Sequence, residues 1–451
     1  MARLVSKASG GTLLDGLYQQ LLRRGVQYFL PSSHLEMVGQ VPGSTPEVVF
    51  HATSQAGLSF EWLGDRYTLT SHREFSDHEQ KMVRSIGRFL STRYALLFDR
   101  EAAARNMPIF GGLTEDRYVS TFLDGRVFGD TRSAATLPDR VSDAIEVLRI
   151  SALSSYEDKR ISTGALLFGT LPDACHELPS RPSDALPYSS ELTSIRSFHR
   201  ICDGLQTIAL VDGRGFMVEL VDVQEWARPF SEMELPVPTT RRYRTHTQAT
   251  LCGGHICLVL TPNGEIKIFG EGVQLFSFFD GRWHLTDAAS KYQAWEAAIG
   301  RRDLAARLFS AGLNLAEHRR GGMFVVLEDP RHARQVVSGA DLLETDPRER
   351  AGAKNQLHYL LQRARVTELS TAVLESIAQI DGSVVLDRGD SRLLAFGAIL
   401  RNSPPADKNE EIGEGGRTAA AIGASQVGDV LMVSEGGQLS FYQKGHCVWT
   451  L

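Results

Sequence analysis

Leu258-Val259-Leu260-Thr261-Pro262-Asn263-Gly264-Glu265-Ile266-Lys267-Ile268-Phe269 reads like Leu431-Met432-Val433-Ser434-Glu435-Gly436-Gly437-Gln438-Leu439-Ser440-Phe441-Tyr442, 173 residues further on. Each is an apolar run, a polar turn carrying glycine and a second run, the pattern of a β-hairpin. Any two such hairpins can be aligned over a dozen residues, so their surroundings decide. At the same offset, without a gap, Arg244-Thr245 falls on Arg417-Thr418. Upstream, Asp203-Gly204 matches Asp381-Gly382, each opening another apolar hairpin. Gly164-Ala165-Leu166-Leu167-Phe168 and Gly322-Met323-Phe324-Val325-Val326 match as buried first strands. One order thus occurs twice: apolar strand, helical stretch, Asp-Gly hairpin, Arg-Thr segment, final hairpin. It reads as an internal duplication. The loops differ between copies. Trp226 to Tyr243 holds three prolines and two adjacent arginines, whereas Arg401 to Gly416 is rich in Pro, Glu and Gly and is expected to be mobile.

The chain has 451 residues, enough for about three domains. Lys plus Arg number 48 against 54 Asp plus Glu, a net charge of −6 with no dense basic stripe, so no duplex DNA partner is expected. No apolar run approaches the roughly 20 residues that span a bilayer. The basic start Met1-Ala2-Arg3-Leu4-Val5-Ser6-Lys7 leads into Gly10-Gly11 and an amphipathic stretch rather than a signal peptide's apolar core. A cytoplasmic address without membrane attachment is the expectation. Cys175, Cys202, Cys252, Cys257 and Cys447 are odd in number and lack the Cys-x-x-Cys pairing of zinc sites, which predicts buried thiols.

Before the first repeat the pattern is α+β. Ser76-x-x-Glu79 forms a capping box, and Met82, Val83, Ile86, Phe89 and Leu90 then share one face, predicting a helix from about Asp77. Pro138 near the start and Val141, Ile145 and Leu148 at helical spacing predict another, ending near Leu153. Between them, Arg117 to Leu123, Asp124-Gly125 and Arg126-Val127-Phe128 read as a strand hairpin.

Asp381-Gly382-Ser383 enters the hairpin of the second copy, and Gly416-Arg417-Thr418-Ala419-Ala420-Ala421-Ile422-Gly423-Ala424-Ser425 precedes its last. These residues resemble the nucleotide-binding domain of bacterial diadenylate cyclases. In that family an Asp-Gly-Ala motif opens such a hairpin, and Arg-His-Arg precedes Ala-Ala-x-Gly-x-Ser and a final hairpin with Ser-Glu. Ser383 stands for the motif's alanine, and Arg417-Thr418-Ala419 keeps only the first arginine. Ala420 to Ser425 and Ser434-Glu435 match well. The resemblance implies condensation of two ATP into cyclic di-AMP by opposed domains, with Mg²⁺ or Mn²⁺. Attack of a ribose hydroxyl on an α-phosphate needs a carboxylate to hold the metal and cations to neutralise the phosphoryl oxygens. Asp381 is the expected metal ligand and Arg417 the expected phosphate cation. Gly382 allows close backbone approach, and Ser383, Thr418 and Ser425 are further nucleotide-binding candidates. Ala419 offers nothing where arginine's fork would bind phosphate, which puts turnover in doubt.

In the first copy, Asp203, Gly204 and Arg244 are the corresponding candidates, with His246 as a replacement charge one place later than the family's histidine. Asp-Gly is also among the commonest turn pairs, and histidine among threonines is often structural. Asp212-Gly213-Arg214-Gly215 lacks the third glycine and the helix of a dinucleotide fingerprint, and reads as a hairpin turn. His72 and His78, six apart near Glu74 and Glu79, fit no zinc spacing. Glu115-Asp116, Thr121 to Asp124 and Tyr156 to Gly164 resemble sensor domains found ahead of cyclase domains.

The expected architecture is therefore α/β: an α+β sensor region (1–155), a degenerate first cyclase-like module (156–290) and a second module (315–451), each module a mixed sheet covered by helices. An internal pseudo-dimer or homo-oligomer would oppose the two sites, with Asp203 and Arg244 facing Asp381 and Arg417. An active cyclase, a nucleotide-binding module without turnover and a structural assembly protein are the readings left open.

Overall fold

The computed structural model describes residues 2–42, 46–51, 57–124, 139–156, 159–171, 173, 176–195, 197–343, 358–361, 363–401 and 416–451, without the side chains of 2–12, 156, 159, 358 and 359. Pro138, Cys175, the segment Gly125 to Phe128 and the loop 402–415 lie outside them. The chain divides into two compact units, Met1–Met233 with Thr245–Asp287, and Glu234–Arg244 with Ala288–Leu451. The class is α/β. No helix among the described residues is long and apolar enough to cross a membrane.

The first unit opens with the helix Ala2–Phe29 and an antiparallel sheet of β1 (His34–Gln40), β2 (Val49–Phe50), β3 (Gly57–Trp62) and β4 (Asp65–Thr70), in the order β1-β4-β3-β2. The helix Asp77–Leu96 begins where the capping box predicts. The Ser76 hydroxyl accepts from the Glu79 N–H, and the Glu79 carboxylate accepts from the Ser76 N–H. Its buried face carries Met82, Val83, Ile86, Phe89 and Leu90. The helix Arg140–Ala152 is capped by Asp139 and ends at Leu153.

The hairpin expected over Arg117 to Phe128 is not formed, because Thr114–Leu123 is a helix. Tyr118, Val119 and Phe122 recur at three- and four-residue spacing and are all buried, so the period that counts is helical. Arg117 and Ser120, on the same stretch, both bond to the Asp139 carboxylate.

After the small hairpin β5 (Ser155–Tyr156) and β6 (Lys159–Arg160) comes a seven-stranded sheet. It comprises β7 (Thr163–Leu167), β8 (Thr207–Val211), β9 (Met217–Asp222), β10 (Ile256–Leu260), β11 (Ile266–Gly270), β12 (Val273–Phe279) and β13 (Arg282–Leu285). Their order is β13-β12-β11-β10-β7-β8-β9. The second unit holds β14 (Gly322–Leu327), β15 (Ser383–Asp387), β16 (Leu393–Ala398), β17 (Gly428–Val433), β18 (Leu439–Gln443) and β19 (His446–Thr450), ordered β16-β15-β14-β17-β18-β19. Read from β9 and from β16, the two sheets run alike. β7 pairs parallel with β8 and β14 with β15, and every other neighbour is antiparallel. β13 is an addition to the first.

The repeat extends to single hydrogen bonds. Thr261 N–H donates to Glu265 O at 2.8 Å, and the Thr261 hydroxyl accepts from Glu265 N–H at 3.2 Å. Ser434 and Gln438 make the same pair at 2.9 and 3.1 Å. Gly264 and Gly437 hold the left-handed turn position at φ 82° and 89°.

The ladders also correct the alignment. Leu260 pairs with Thr163 and Val433 with Gly322, so Thr163, not Gly164, takes the place of Gly322. Ala209 pairs with Ala165 where Val384 pairs with Phe324, which sets Asp203-Gly204 three residues further ahead of its strand than Asp381-Gly382. Composition could not show this, since both Asp-Gly pairs simply precede an apolar run.

In the second unit β14 is buried along its whole length, as a central strand covered on both faces must be. Met323, Val325 and Leu327 share a core with Ala333, Val336, Ala421, Ala424, Val430 and Met432. On the opposite face the helices Arg302–Glu317 and Thr371–Ala378 cover the sheet, with Leu315 of the first and Ala378 of the second closing on Gly322. Of the cysteines, Cys202 and Cys257 are buried as expected. Cys252 is half-buried and Cys447 exposed, the latter because β19 is an edge strand.

Candidate functional site

The parallel pair β14 and β15 brings the second unit's candidates to one end of its sheet. In the parallel register Phe324↔Val384, Gly321 and Asp381 each lie three residues before the paired residue, so both stand at the same end of the sheet. Gly382 follows with φ 119°. A Cβ there would lie 2.5 to 2.7 Å from the backbone of Gly397 and Ala398, so only glycine fits. Ser383 is buried and donates its hydroxyl to Ala398 O at 3.0 Å, fixing the first rung of the β15–β16 hairpin.

Arg417 is the second residue of the helix Gly416–Ala424, and its guanidinium lies directly on Gly321. A Cβ on Gly321 would stand 2.1 Å from Arg417 Nη1. Glu435, in the turn after β17, is 3.6 Å from the same nitrogen. Thr418 is half-buried beside it. Asp381 is exposed and takes part in no ion pair among the described residues. Arg417, Thr418, Asp381 and Gly382 therefore share one end of the sheet. Ser425 does not. It lies eight residues further along, about 12 Å at the helical rise, where it donates to Ile422 O at 2.8 Å and accepts from Gly445 N–H at 2.9 Å. That hydroxyl ties the helix end to the β18–β19 turn.

Of the carboxylates at this end, Glu435 is paired with Arg417, which leaves Asp381 for a metal ion. Among the described residues no group of three or more His, Cys, Asp or Glu side chains could hold a metal ion. One exposed carboxylate fits a Mg²⁺-like ion that takes its other ligands from water and nucleotide phosphates.

The corresponding end of the first module is closed by its own chain. Asp203 Oδ1 accepts from the N–H groups of Leu205, Gln206 and Thr207 at 2.8, 2.8 and 3.0 Å, so the carboxylate builds the turn. Gly204, at φ 70°, packs on the start of β7, and a Cβ there would be 2.4 Å from the Thr163 carbonyl. His246 is fully buried, with Nε2 2.9 Å from Gly204 O. Arg244 is exposed at the start of the short helix Arg244–Gln248.

Sequence reading missed several residues around the second site. Gly321 is what lets Arg417 lie flat on the strand, and its signal was the run Arg319-Arg320-Gly321-Gly322. Arg320 Nη1 donates to Gln379 Oε1 at 2.6 Å, two residues before Asp381. Arg241 and Arg242, read as loop residues of the first copy, belong to the second unit.

No protein-family model matches the chain, and no curated protein does. A solved structure titled as a hypothetical membrane spanning protein from Bacillus cereus matches at 20% identity, over 36% of this chain and 70% of that one, with a TM-score of 0.27. A crystal structure of DacA from Staphylococcus aureus, in a double mutant, matches at 19% identity over 34% of this chain and 87% of that one, with a TM-score of 0.21. Scores this low leave the chain to be read from its own residues.

Proposed function

We propose that residues 315–451 form a diadenylate-cyclase-like nucleotide-binding module, that 156–290 is a degenerate copy of it, and that 1–155 is a sensor region controlling it. The supporting observation is the shared position of Asp381, Gly382, Arg417 and Thr418 at one end of the second sheet. Arg417 presents a guanidinium, and the first turn of its helix presents N–H groups that have no partner within the helix; both suit phosphate oxygens. Thr418 adds a hydroxyl donor.

In the active reading, the 3′-hydroxyl of one ATP attacks the α-phosphorus of another. A P–O bond forms, pyrophosphate leaves, and the reaction repeated on the partner nucleotide gives cyclic di-AMP. Mg²⁺ or Mn²⁺, held by Asp381 together with phosphate oxygens, would supply charge neutralisation at the phosphoryl group. Arg417 would stabilise the same oxygens as their charge grows. Two opposed nucleotides are needed, which an internal pseudo-dimer or a homo-oligomer would provide; a specific rate that falls on dilution would point to the homo-oligomer.

Binding without turnover is the second reading. It is favoured by Ala419, which puts a methyl group where a second cation would serve, and by the first module's end being packed shut by Gly204 and His246. Incubation of the pure protein with labelled ATP and Mn²⁺, followed by chromatography, separates the two. A cyclic dinucleotide supports the enzyme. Saturable ATP binding without product supports the sensor, and no binding at all removes both.

A further inference from the structure

Four arginines surround the end of the second sheet, and two of them come from a segment that the repeat pattern assigns to the first module. Glu234–Arg244 belongs to the second unit. Glu234 pairs with Arg302 at 2.7 Å at one end of the segment. At the other, Arg241 is fastened twice. Its backbone N–H donates to Asn314 Oδ1 at 2.8 Å, and its Nη2 donates to Glu375 Oε1 at 3.0 Å, an oxygen that Asn314 Nδ2 also reaches at 2.7 Å. Arg242 Nη1 stands 4.0 Å from Glu317. Both carboxylates are well covered, at 14% and 4% exposure, while the Arg241 side chain is 63% exposed. The acids are anchors, and the guanidinium of Arg241 is displayed.

These anchors border the candidate site. Glu375 lies one helical turn before Ala378, whose carbonyl would be 3.1 Å from a Cβ on Gly322. Glu317 follows Ala316, whose carbonyl would be 2.8 Å from a Cβ on Gly437, and Gly437 shares its turn with Glu435, the partner of Arg417. Arg320 completes the group through Gln379. A guanidinium held by one nitrogen keeps further N–H donors for an anion, and arginine's planar fork suits phosphate.

We propose that Arg241 and Arg242 bind the polyphosphate of a nucleotide held in the second module, so that the segment ahead of the first module's short helix supplies part of the second module's site. This rests on the nucleotide reading above. The test is titration of the full-length protein with ATP and with adenosine, for the unaltered chain and for Arg241→Ala with Arg242→Ala, with thermal melting recorded alongside. The expected result is ATP affinity reduced about tenfold or more with adenosine affinity unchanged. If the alanine pair fails to fold, Arg241→Gln with Arg242→Gln keeps the stems and some donors, and should show the same selective loss. ATP affinity within about twofold of the unaltered protein in a folded variant overturns the proposal. Equal loss for ATP and adenosine also overturns it, since the arginines would then shape the site and not hold phosphate. An unaltered protein that binds neither ligand overturns the nucleotide reading itself, and this proposal with it.

Discussion

The guanidinium of Arg417 rests on the bare Cα of Gly321, so close that a Cβ at Gly321 would stand 2.1 Å from Nη1. The obstructing atom belongs to the far end of a flexible side chain. Gly321→Ala should therefore fold normally, with a melting shift of no more than about 2 °C, while pushing Arg417 off the strand. Its ATP affinity should fall in the same direction as that of Arg417→Ala, and the two changes combined should cost little more than either alone. Full additivity in calorimetric titration would show that the contact has no role in binding.

Asp381→Asn removes the negative charge that would hold a metal ion and leaves shape nearly unchanged. Melting should be unaltered, since the carboxylate is exposed and takes part in no ion pair among the described residues. If the module is a cyclase, product formation should collapse. If it binds without turnover, only metal-dependent affinity should drop. A variant indistinguishable from the parent in product, affinity and melting would end the assignment of a site at this residue.

Gly382→Ala and Gly204→Ala should both destabilise, each by about 2 to 4 kcal/mol, for the same reason at different places. Both residues have positive φ, 119° and 70°, and both would drive a Cβ into backbone, of Gly397 and Ala398 in one case and of Thr163 in the other. Denaturant melts of the two variants measure this directly. A loss below about 0.5 kcal/mol at either position would mean that the local backbone relaxes.

Two histidines of the first unit, His78 half-buried and His255 buried, should give opposite pH dependences. His78 lies between Asp287, 3.5 Å from Nδ1, and Glu271, 3.7 Å from Nε2, with Lys81 also on Glu271 and Arg73 in the field of Asp287. The carboxylates of Asp287 and then Glu271 raise its pKa to about 9 against burial. A raised folded value means that this contribution is complete below about pH 6.5 and is lost as pH climbs through 9. His255 behaves in the reverse sense. Burial, then His176 and Arg140, depress it to about 4, with Asp173 opposing. The unfolded chain takes up a proton first, so stability falls as pH drops from about 6.5 towards 4. His78→Gln should flatten the alkaline limb of a stability–pH profile and leave the acid limb. An unchanged alkaline limb would locate the titration elsewhere.

Much of this molecule was fixed by local pattern. The twelve-residue hairpins carried a repeat that the two sheets reproduce over six strands, because a glycine at the left-handed turn position and apolar runs of matching length specify pairing locally. The capping box placed the start of the helix at Asp77 for the same reason: its two bonds join residues three apart. What the sequence left undecided depends on partners distant in the chain. Thr114–Leu123 alternates poorly as a strand and folds as a helix because Tyr118, Val119 and Phe122 find one common core. The two Asp-Gly pairs look equivalent as letters, yet Gly204 closes on Thr163 while Gly382 closes on Ala398, and only the ladder register separates them. Likewise, Arg241 and Arg242 lie between β9 and β10 of the first copy in sequence, but the half-buried acids Glu375 and Glu317 that hold them stand 134 and 75 positions further on. Burying a carboxylate is costly without a cation nearby, and which cation serves is set by where the chain passes in space, a choice that no local spacing records.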